Sequence, residues 1–170
     1  MKWTPLNFGK YEGKTLPQVM FKDPDWFFHG DEKGYFKNGQ AHEAREIYCR
    51  SRSIKVPQRD GQKMRAEYII HNPNGKFGTF RLIEDGPGLQ HLYTMPVIDF
   101  YIPKSLANYD KLGYENFIFA LKGILLNDHS RYMSKKACEE FFNDDGNFDL
   151  EYAAKEYSSR YDGLLMFRGV

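Results

Sequence analysis

The stretch "MRAEYIIHNPNGKFGTFRLIE", residues 64–84, decides the fold class. Two runs rich in β-branched and aromatic residues flank NPNG, and an Asn-Gly pair between such runs is a strong hairpin signature. Residues 96–103, "PVIDFYIP", predict another strand bounded by a proline at each end. A short strand is predicted over residues 53–56. We therefore expect a small antiparallel sheet within residues 53–103.

Helical patterns lie on both sides of this predicted sheet. Residues 38–50 have apolar residues at helical spacing, and Ser134 and Leu150 begin two further amphipathic segments, the second running to Tyr161. The widest apolar stripe lies within residues 105–126, and it consists of Phe117, Ala120, Leu121, Ile124 and Leu125. The expected fold class is α+β, with helices packed on one face of the small antiparallel sheet.

Residues 1–37 predict an N-terminal strand–turn–helix block. Residues 4–8 fit a short strand, and the glycines that follow fit a turn. Thr15 with Gln18 matches a capping box, and Asp23 precedes a proline at the favoured first helical position. Because the block is too small to be stable alone, we expect it to dock on an α+β body, residues 38–170, that ends in an acidic helix.

Charge is distributed unevenly along the chain. The net charge is +1, but residues 139–170 hold eight acids and three bases, which leaves 21 bases and 15 acids in residues 1–138. A basic body with an acidic tail hints at nucleic acid. The two cysteines are far apart, and the sequence shows neither a membrane-spanning apolar run nor a signal peptide. These features predict a cytoplasmic protein with no membrane partner.

The turn "FGKYEGK", residues 8–14, is the first candidate site. Lys10 and Lys14, with backbone N–H groups, could hold phosphates, and Tyr11 at the tip could stack on a base. The alternative is a solvated turn whose lysines remain in water. The spacing does not match a phosphate-binding P-loop.

The segment that includes this turn resembles a known family. Ten residues carry the resemblance: Phe8, Gly9, Lys10, Gly13, Lys14, Leu16, Asp23, Pro24, Asp25 and Trp26. They resemble the short domain at the C-terminus of exodeoxyribonuclease X-type proteins, and a family of small proteins labelled putative quorum-sensing-regulated virulence factors. The resemblance implies nucleic-acid contact alongside a DNA-processing protein, and it implies no catalysis. The remaining residues resemble uncharacterised phage or prophage proteins.

A basic stretch begins within the helix predicted over residues 38–50 and continues beyond it. Seven bases fall within 21 residues, and they are Arg45, Arg50, Arg52, Lys55, Arg59, Lys63 and Arg65. They could extend a phosphate track from the turn, or form an ordinary salt-bridged surface. Lys76 and Phe77 lie at the predicted hairpin tip, where an aromatic ring could insert into a groove or fold back onto the core.

Metal and catalytic signatures are weak. The histidines and cysteines lack zinc-site spacing, so we predict no metal, no cofactor and no catalytic residue. A metal-dependent nuclease would need convergent acids, for which the strand acids Glu67, Glu84, Asp85 and Asp99 are the candidates.

The sequence thus favours a non-enzymatic nucleic-acid-binding accessory protein of a phage or prophage, with DNA favoured over RNA. Its predicted contact residues are Lys10, Tyr11, Lys14, Trp26, Arg45, Arg50, Arg52, Lys55, Arg59 and Lys76. The alternatives are a protein–protein adaptor or inhibitor of a host or replication enzyme, and a metal-dependent nuclease.

Overall fold

The structure is a computed structural model that describes residues 1–71, 74–87, 93–106 and 108–157. In these residues the chain is an α+β protein with seven α-helices and two small antiparallel sheets, which confirms the predicted class. The helices are α1 Leu16–Met20, α2 Pro24–Glu32, α3 Gly39–Ser51, α4 Ile102–Ser105, α5 Lys111–Leu126, α6 Lys135–Asn143 and α7 Leu150–Tyr157. The strands are β1 Ile54–Lys55, β2 Met64–His71, β3 Lys76–Glu84, β4 Thr94–Met95 and β5 Val97–Ile98.

The chain divides into two compact units. The first combines Met1–Ile54 with the chain from Met133 onward, and the second is Lys55–Tyr132. The first unit is mainly helical. It consists of two segments that lie far apart in the sequence.

In the first unit, α1 packs on α2, α3 and α6, and α3 also packs on α7. The core is aromatic, with Phe27, Phe28, Phe142 and Phe148 almost completely buried. The predicted caps are confirmed: Thr15 N–H donates to Gln18 Oε1 at 3.0 Å, as a capping box requires. Further along the chain, Ser134 Oγ accepts from Ala137 N–H at 3.1 Å and so caps α6.

The second unit confirms the predicted hairpin. β2 and β3 pair antiparallel, and β4 adds to the other edge of β2, giving the order β3–β2–β4. Helix α5 packs on this sheet, and its Phe117 ring lies 5.2 Å from that of Phe80 and 5.1 Å from that of Phe100. Phe117 and Leu121, from the predicted apolar stripe, are buried.

Three predicted elements differ from the observed ones, and part of a fourth lies outside the described residues. Residues 4–8 form no strand, because only Leu6 bonds across to the turn. The strand predicted over residues 96–103 is reduced to β5, and α4 follows it. The helix predicted from Ser105 begins at Lys111, because Asp110 caps it by accepting from Gly113 N–H at 3.0 Å. Helix α7 is described to Tyr157, and its predicted continuation lies outside the described residues.

None of the helices in the described part of the chain is long and apolar enough to cross a membrane.

Candidate nucleic-acid interface

The Gly-Lys turn is a closed loop fastened to Leu6. Leu6 N–H donates to Lys14 O at 2.9 Å, and Gly13 N–H donates back to Leu6 O at 2.8 Å. Gly9 and Gly13 have φ values of +72° and +80°, a region that side chains with a Cβ rarely adopt. The two glycines therefore shape the turn, as the sequence predicts.

Asp23, the N-cap of α2, joins this turn to the following helix. Its Oδ2 accepts from Tyr11 Oη at 2.6 Å and from Lys10 Nζ at 2.9 Å. Its Oδ1 accepts from Trp26 N–H at 3.2 Å. One carboxylate thus caps a helix and anchors the phenol and the ammonium of the turn.

Burial and the hydrogen bonds of this network shift the pKa values of Asp23, Tyr11 and Lys10. Burial works to raise the pKa of Asp23, but the hydrogen bonds from Tyr11 and Lys10 outweigh it and lower that pKa below its usual 3.8. Burial raises the pKa of Tyr11, and its hydrogen bond to Asp23 adds to the rise. The hydrogen bond to Asp23 raises the pKa of Lys10, so the ammonium stays charged throughout the neutral range.

Trp26 seals the turn against an aromatic cluster. Its ring meets Tyr11 edge-on with centroids 5.3 Å apart, and it lies 6.2 Å from Phe8 and 6.0 Å from Phe36. A Cβ on Gly9 would lie 3.1 Å from Trp26 Cζ2. Five of the ten residues that carry the family resemblance therefore lie together at the turn and the beginning of α2, namely Phe8, Gly9, Lys10, Asp23 and Trp26.

Burial corrects the stacking role predicted for Tyr11. Its side chain is buried, with its hydroxyl on Asp23 and its ring edge on Trp26, so it has no open face for a base. Trp26 is half-buried in the same cluster. These two aromatics hold the turn in shape.

Three lysines surround the turn. Lys10 Nζ lies 5.0 Å and Lys22 Nζ 5.8 Å from the centroid of the Tyr11 ring, and Lys14 is exposed at the end of the turn. We call Lys10, Lys14 and Lys22 the lysine surface. Lys22 lies eight residues beyond the turn, and the sequence analysis did not predict it as a contact residue. Its position immediately before the Asp-Pro cap was the signal that could have identified it.

The backbone of the turn adds further donors. Its internal hydrogen bonds use the N–H groups of Glu12, Gly13 and Lys14. Within the described residues, the N–H groups of Gly9, Lys10 and Tyr11 have no protein acceptor. Backbone N–H groups of this kind bind anions when they converge.

Arg50 is a structural residue, which corrects its predicted role as a phosphate contact. It is 4% exposed, and its guanidinium donates to Glu46 at 3.1 Å, Asp145 at 2.6 Å and the Phe142 carbonyl at 3.1 Å. All three partners lie in the first unit, so Arg50 ties α3 to the segment that follows α6. A guanidinium engaged in this way cannot reach a ligand.

The other predicted bases are divided between the two units. Arg45 and Arg52 belong to the first unit, whereas Lys55, Arg59 and Lys76 belong to the second. Arg45, Lys55 and Arg59 are exposed, but Arg52 Nη1 donates to Tyr48 Oη at 2.6 Å and Lys76 Nζ lies 2.7 Å from Asp110 Oδ2.

Phe77, at the predicted hairpin tip, is buried with its ring 6.0 Å from that of Phe117. It therefore folds back onto the core, the second of the two alternatives.

Two of the four strand acids pair with bases. Glu67 Oε2 accepts from Arg81 at 2.5 Å, and Asp85 lies 3.4 Å from Lys63. Asp99 is fully buried, and its Oδ1 accepts from Tyr101 N–H at 2.7 Å, whereas Glu84 is exposed. Across the described residues, His, Cys, Asp and Glu form no group of three or more that could hold a metal ion.

The chain matches no family model, no curated protein and no solved structure. The family resemblance of residues 8–26 therefore stays a prediction that rests on the residues that carry it.

Proposed function

We propose that this protein is a nucleic-acid-binding accessory protein that grips the phosphate backbone with the lysine surface and performs no chemistry on it. The observation that carries the proposal is the coincidence of three ammonium groups with a turn whose N–H groups at Gly9, Lys10 and Tyr11 have no protein acceptor among the described residues. Ammonium groups and backbone N–H groups are the usual partners of phosphate oxygens.

The ion pair of Lys10 is compatible with this role. Its side chain is 60% exposed, so its contact with Asp23 is an exposed one that contributes little free energy. Asp23 keeps two further hydrogen bonds, from Tyr11 and from Trp26 N–H, when Lys10 leaves it. Lys10 can therefore turn to a phosphate without leaving the carboxylate unpartnered.

The family resemblance supports the choice of partner. It favours DNA over RNA and a DNA-processing protein as a second partner. The resemblance of the remaining residues favours a phage or prophage protein, and the cysteine and hydropathy patterns favour the cytoplasm.

The salt dependence of binding tests the proposal. Fluorescence anisotropy with labelled single-stranded DNA, duplex DNA and RNA should show binding at low salt that weakens steeply as salt rises. We expect the Lys10→Ala/Lys14→Ala/Lys22→Ala variant to lower the slope of log K against log salt by about 0.7 to 0.9 for each phosphate that the protein no longer neutralises. The matched control is Lys135→Ala/Lys136→Ala, which removes exposed lysines of α6 in the same unit and should leave the slope nearly unchanged. An absence of binding to all three ligands at low salt would overturn the proposal.

A specific observation favours a second candidate, the protein–protein adaptor. Leu112, Phe119 and Leu126 recur every seven residues on α5 and are 59%, 60% and 38% exposed. Residues at this spacing share a helix face, and large apolar side chains exposed on one face favour a protein-binding surface. If this face binds a partner enzyme, Phe119→Ser should abolish co-purification of that enzyme while the DNA affinity stays unchanged.

A further inference from the structure

A cavity of about 450 Å³ lies in the first unit, between the segment before the turn and the beginning of α3. Thr4, Pro5, Asn7 and Phe8 line one side. Tyr35 and residues 37–40 line the other. A cavity of this volume is in the range that small organic ligands occupy.

Its walls combine aromatic rings with a positive charge. Phe8 and Tyr35 both line the cavity, and Tyr35 is 44% exposed although it is a large aromatic residue. Among the described residues, Lys37 is the single charged residue of the lining. An aromatic and cationic lining without a carboxylate suits a flat, electron-rich ring that carries an anionic group.

Two amide side chains at the cavity have no protein partner among the described residues. Asn7 is exposed, and Asn38, the N-cap of α3, makes no side-chain hydrogen bond to that helix. Amides offer both a donor and an acceptor, which are the groups that read the edge of a nucleobase.

Asn38 also occupies an unusual backbone conformation. Its φ of +55° and ψ of −132° lie in a region where glycine is far more common, yet the chain has asparagine there and glycine at the next position. The polar side chain is thus retained at a position that favours glycine, which is consistent with a use for the amide.

We propose that this cavity holds one unpaired base of a single-stranded nucleic acid, with Phe8 and Tyr35 against its faces, Asn7 and Asn38 at its edge and Lys37 near the adjoining phosphate. This inference rests on the proposed function. Phe8 lines the cavity and immediately precedes Gly9 of the turn, and one strand would contact both the cavity and the lysine surface.

An oligonucleotide that lacks its bases separates the cavity from the lysine surface. Anisotropy titrations at low salt would compare a short thymidine oligonucleotide with an abasic one of equal length, for the native protein and for Tyr35→Ala, Asn7→Ala and Asn38→Gly. The matched control is Tyr132→Ala, which removes an exposed tyrosine of the second unit.

We expect Tyr35→Ala to weaken thymidine binding about fivefold or more and to leave abasic binding unchanged. Asn38→Gly should weaken thymidine binding while keeping or raising the melting temperature, which shows that the protein still folds. Equal affinity of the native protein for both oligonucleotides would overturn this inference alone, provided the lysine variants still weaken binding. Equal loss on both oligonucleotides in Tyr35→Ala would also overturn it, and no binding to either would overturn the proposed function as well.

Discussion

Tyr11 and Asp23 share a 2.6 Å hydrogen bond that joins the Gly-Lys turn to the N-terminus of α2. The phenol donates to the same carboxylate that caps the helix, and the Tyr11 ring packs edge-on against Trp26. Buried groups therefore fix the conformation of the turn, and the lysines lie on its exposed side. The shape of the surface and its charge are supplied by different residues, which makes them separable by mutation.

Asp23→Ala should destabilise the fold by about 2 to 4 kcal/mol at neutral pH. The variant loses an N-cap worth about 1 kcal/mol and leaves the buried Tyr11 hydroxyl without an acceptor, which costs about 1 to 3 kcal/mol. Urea unfolding measures the loss. Tyr11→Phe keeps the ring packing and removes only the hydrogen bond, so it should lose about 1 kcal/mol. A larger loss for Tyr11→Phe than for Asp23→Ala would contradict this assignment.

The same carboxylate predicts a pH dependence. The pKa of Asp23 is lower in the folded protein than its usual 3.8, so its ionised form contributes stability above that value and the contribution is lost as pH falls through the folded pKa. The gap in unfolding free energy between the native protein and Asp23→Asn should be constant near neutral pH and should narrow below 3.8. A gap that stays constant through the acid range would count against the network.

Gly9→Ala should destabilise more than Gly13→Ala, although both glycines have positive φ. A Cβ at Gly13 meets nothing within 4 Å, so that variant reports the backbone cost alone, about 1 to 2 kcal/mol. At Gly9 the Cβ meets Trp26 at 3.1 Å, which should add about 1 kcal/mol. Thermal melts of the two variants measure the difference, and equal losses would show that the Trp26 ring moves aside freely.

Arg50→Ala should cost about 3 kcal/mol or more. The substitution removes the buried donor that bonds both the Phe142 carbonyl and the Glu46 carboxylate. Removing one partner of a buried ion pair is strongly destabilising. Arg50→Lys should recover little, because an ammonium lacks the planar fork of the guanidinium. The control is Arg45→Ala on the exposed side of the same helix, with an expected loss within about 0.5 kcal/mol. Parity between the two alanine variants in urea unfolding would refute the structural role.

Cys49 should be unreactive in the native state. It is buried, and burial raises the pKa of its thiol to about 11, so little nucleophilic thiolate exists near neutral pH. Iodoacetamide labelling followed by mass spectrometry should modify Cys49 quickly in denaturant and only slowly without it. Rapid native labelling would show that α3 opens at this position.

Local patterns account for what the sequence predicts correctly. The Asn-Gly pair at the hairpin, Gln18 opposite Thr15 and Asp23 before Pro24 act within a few residues, so their effects can be predicted without knowing the fold. The aromatic-rich segment over residues 96–103 shows the limit. The Asp99 carboxylate accepts Tyr101 N–H two residues on, which turns the chain out of the strand and into α4.

Tertiary contacts account for what the sequence could not predict. Arg50 lies in a basic stretch and is indistinguishable there from Arg45, because its partners Phe142 and Asp145 are more than ninety residues away in the chain. Tyr11 is a turn-tip aromatic in the sequence, and its burial depends on Asp23 and Trp26 approaching from the next helix. In the candidate site, the backbone turn was thus predictable, whereas the division between exposed and buried side chains was not.

The two-part origin of the first unit has a consequence during synthesis. Arg50 can donate to Phe142 and Asp145 only after those residues have been synthesised. Likewise, Trp3 Nε1 can donate to Asn143 Oδ1, at 3.0 Å, only after Asn143 has been synthesised. The hairpin and α5 lie between these segments and pair locally, so they can form on the ribosome first. Helices α1 and α3, although translated before the hairpin, then complete their packing last, when α6 and α7 emerge.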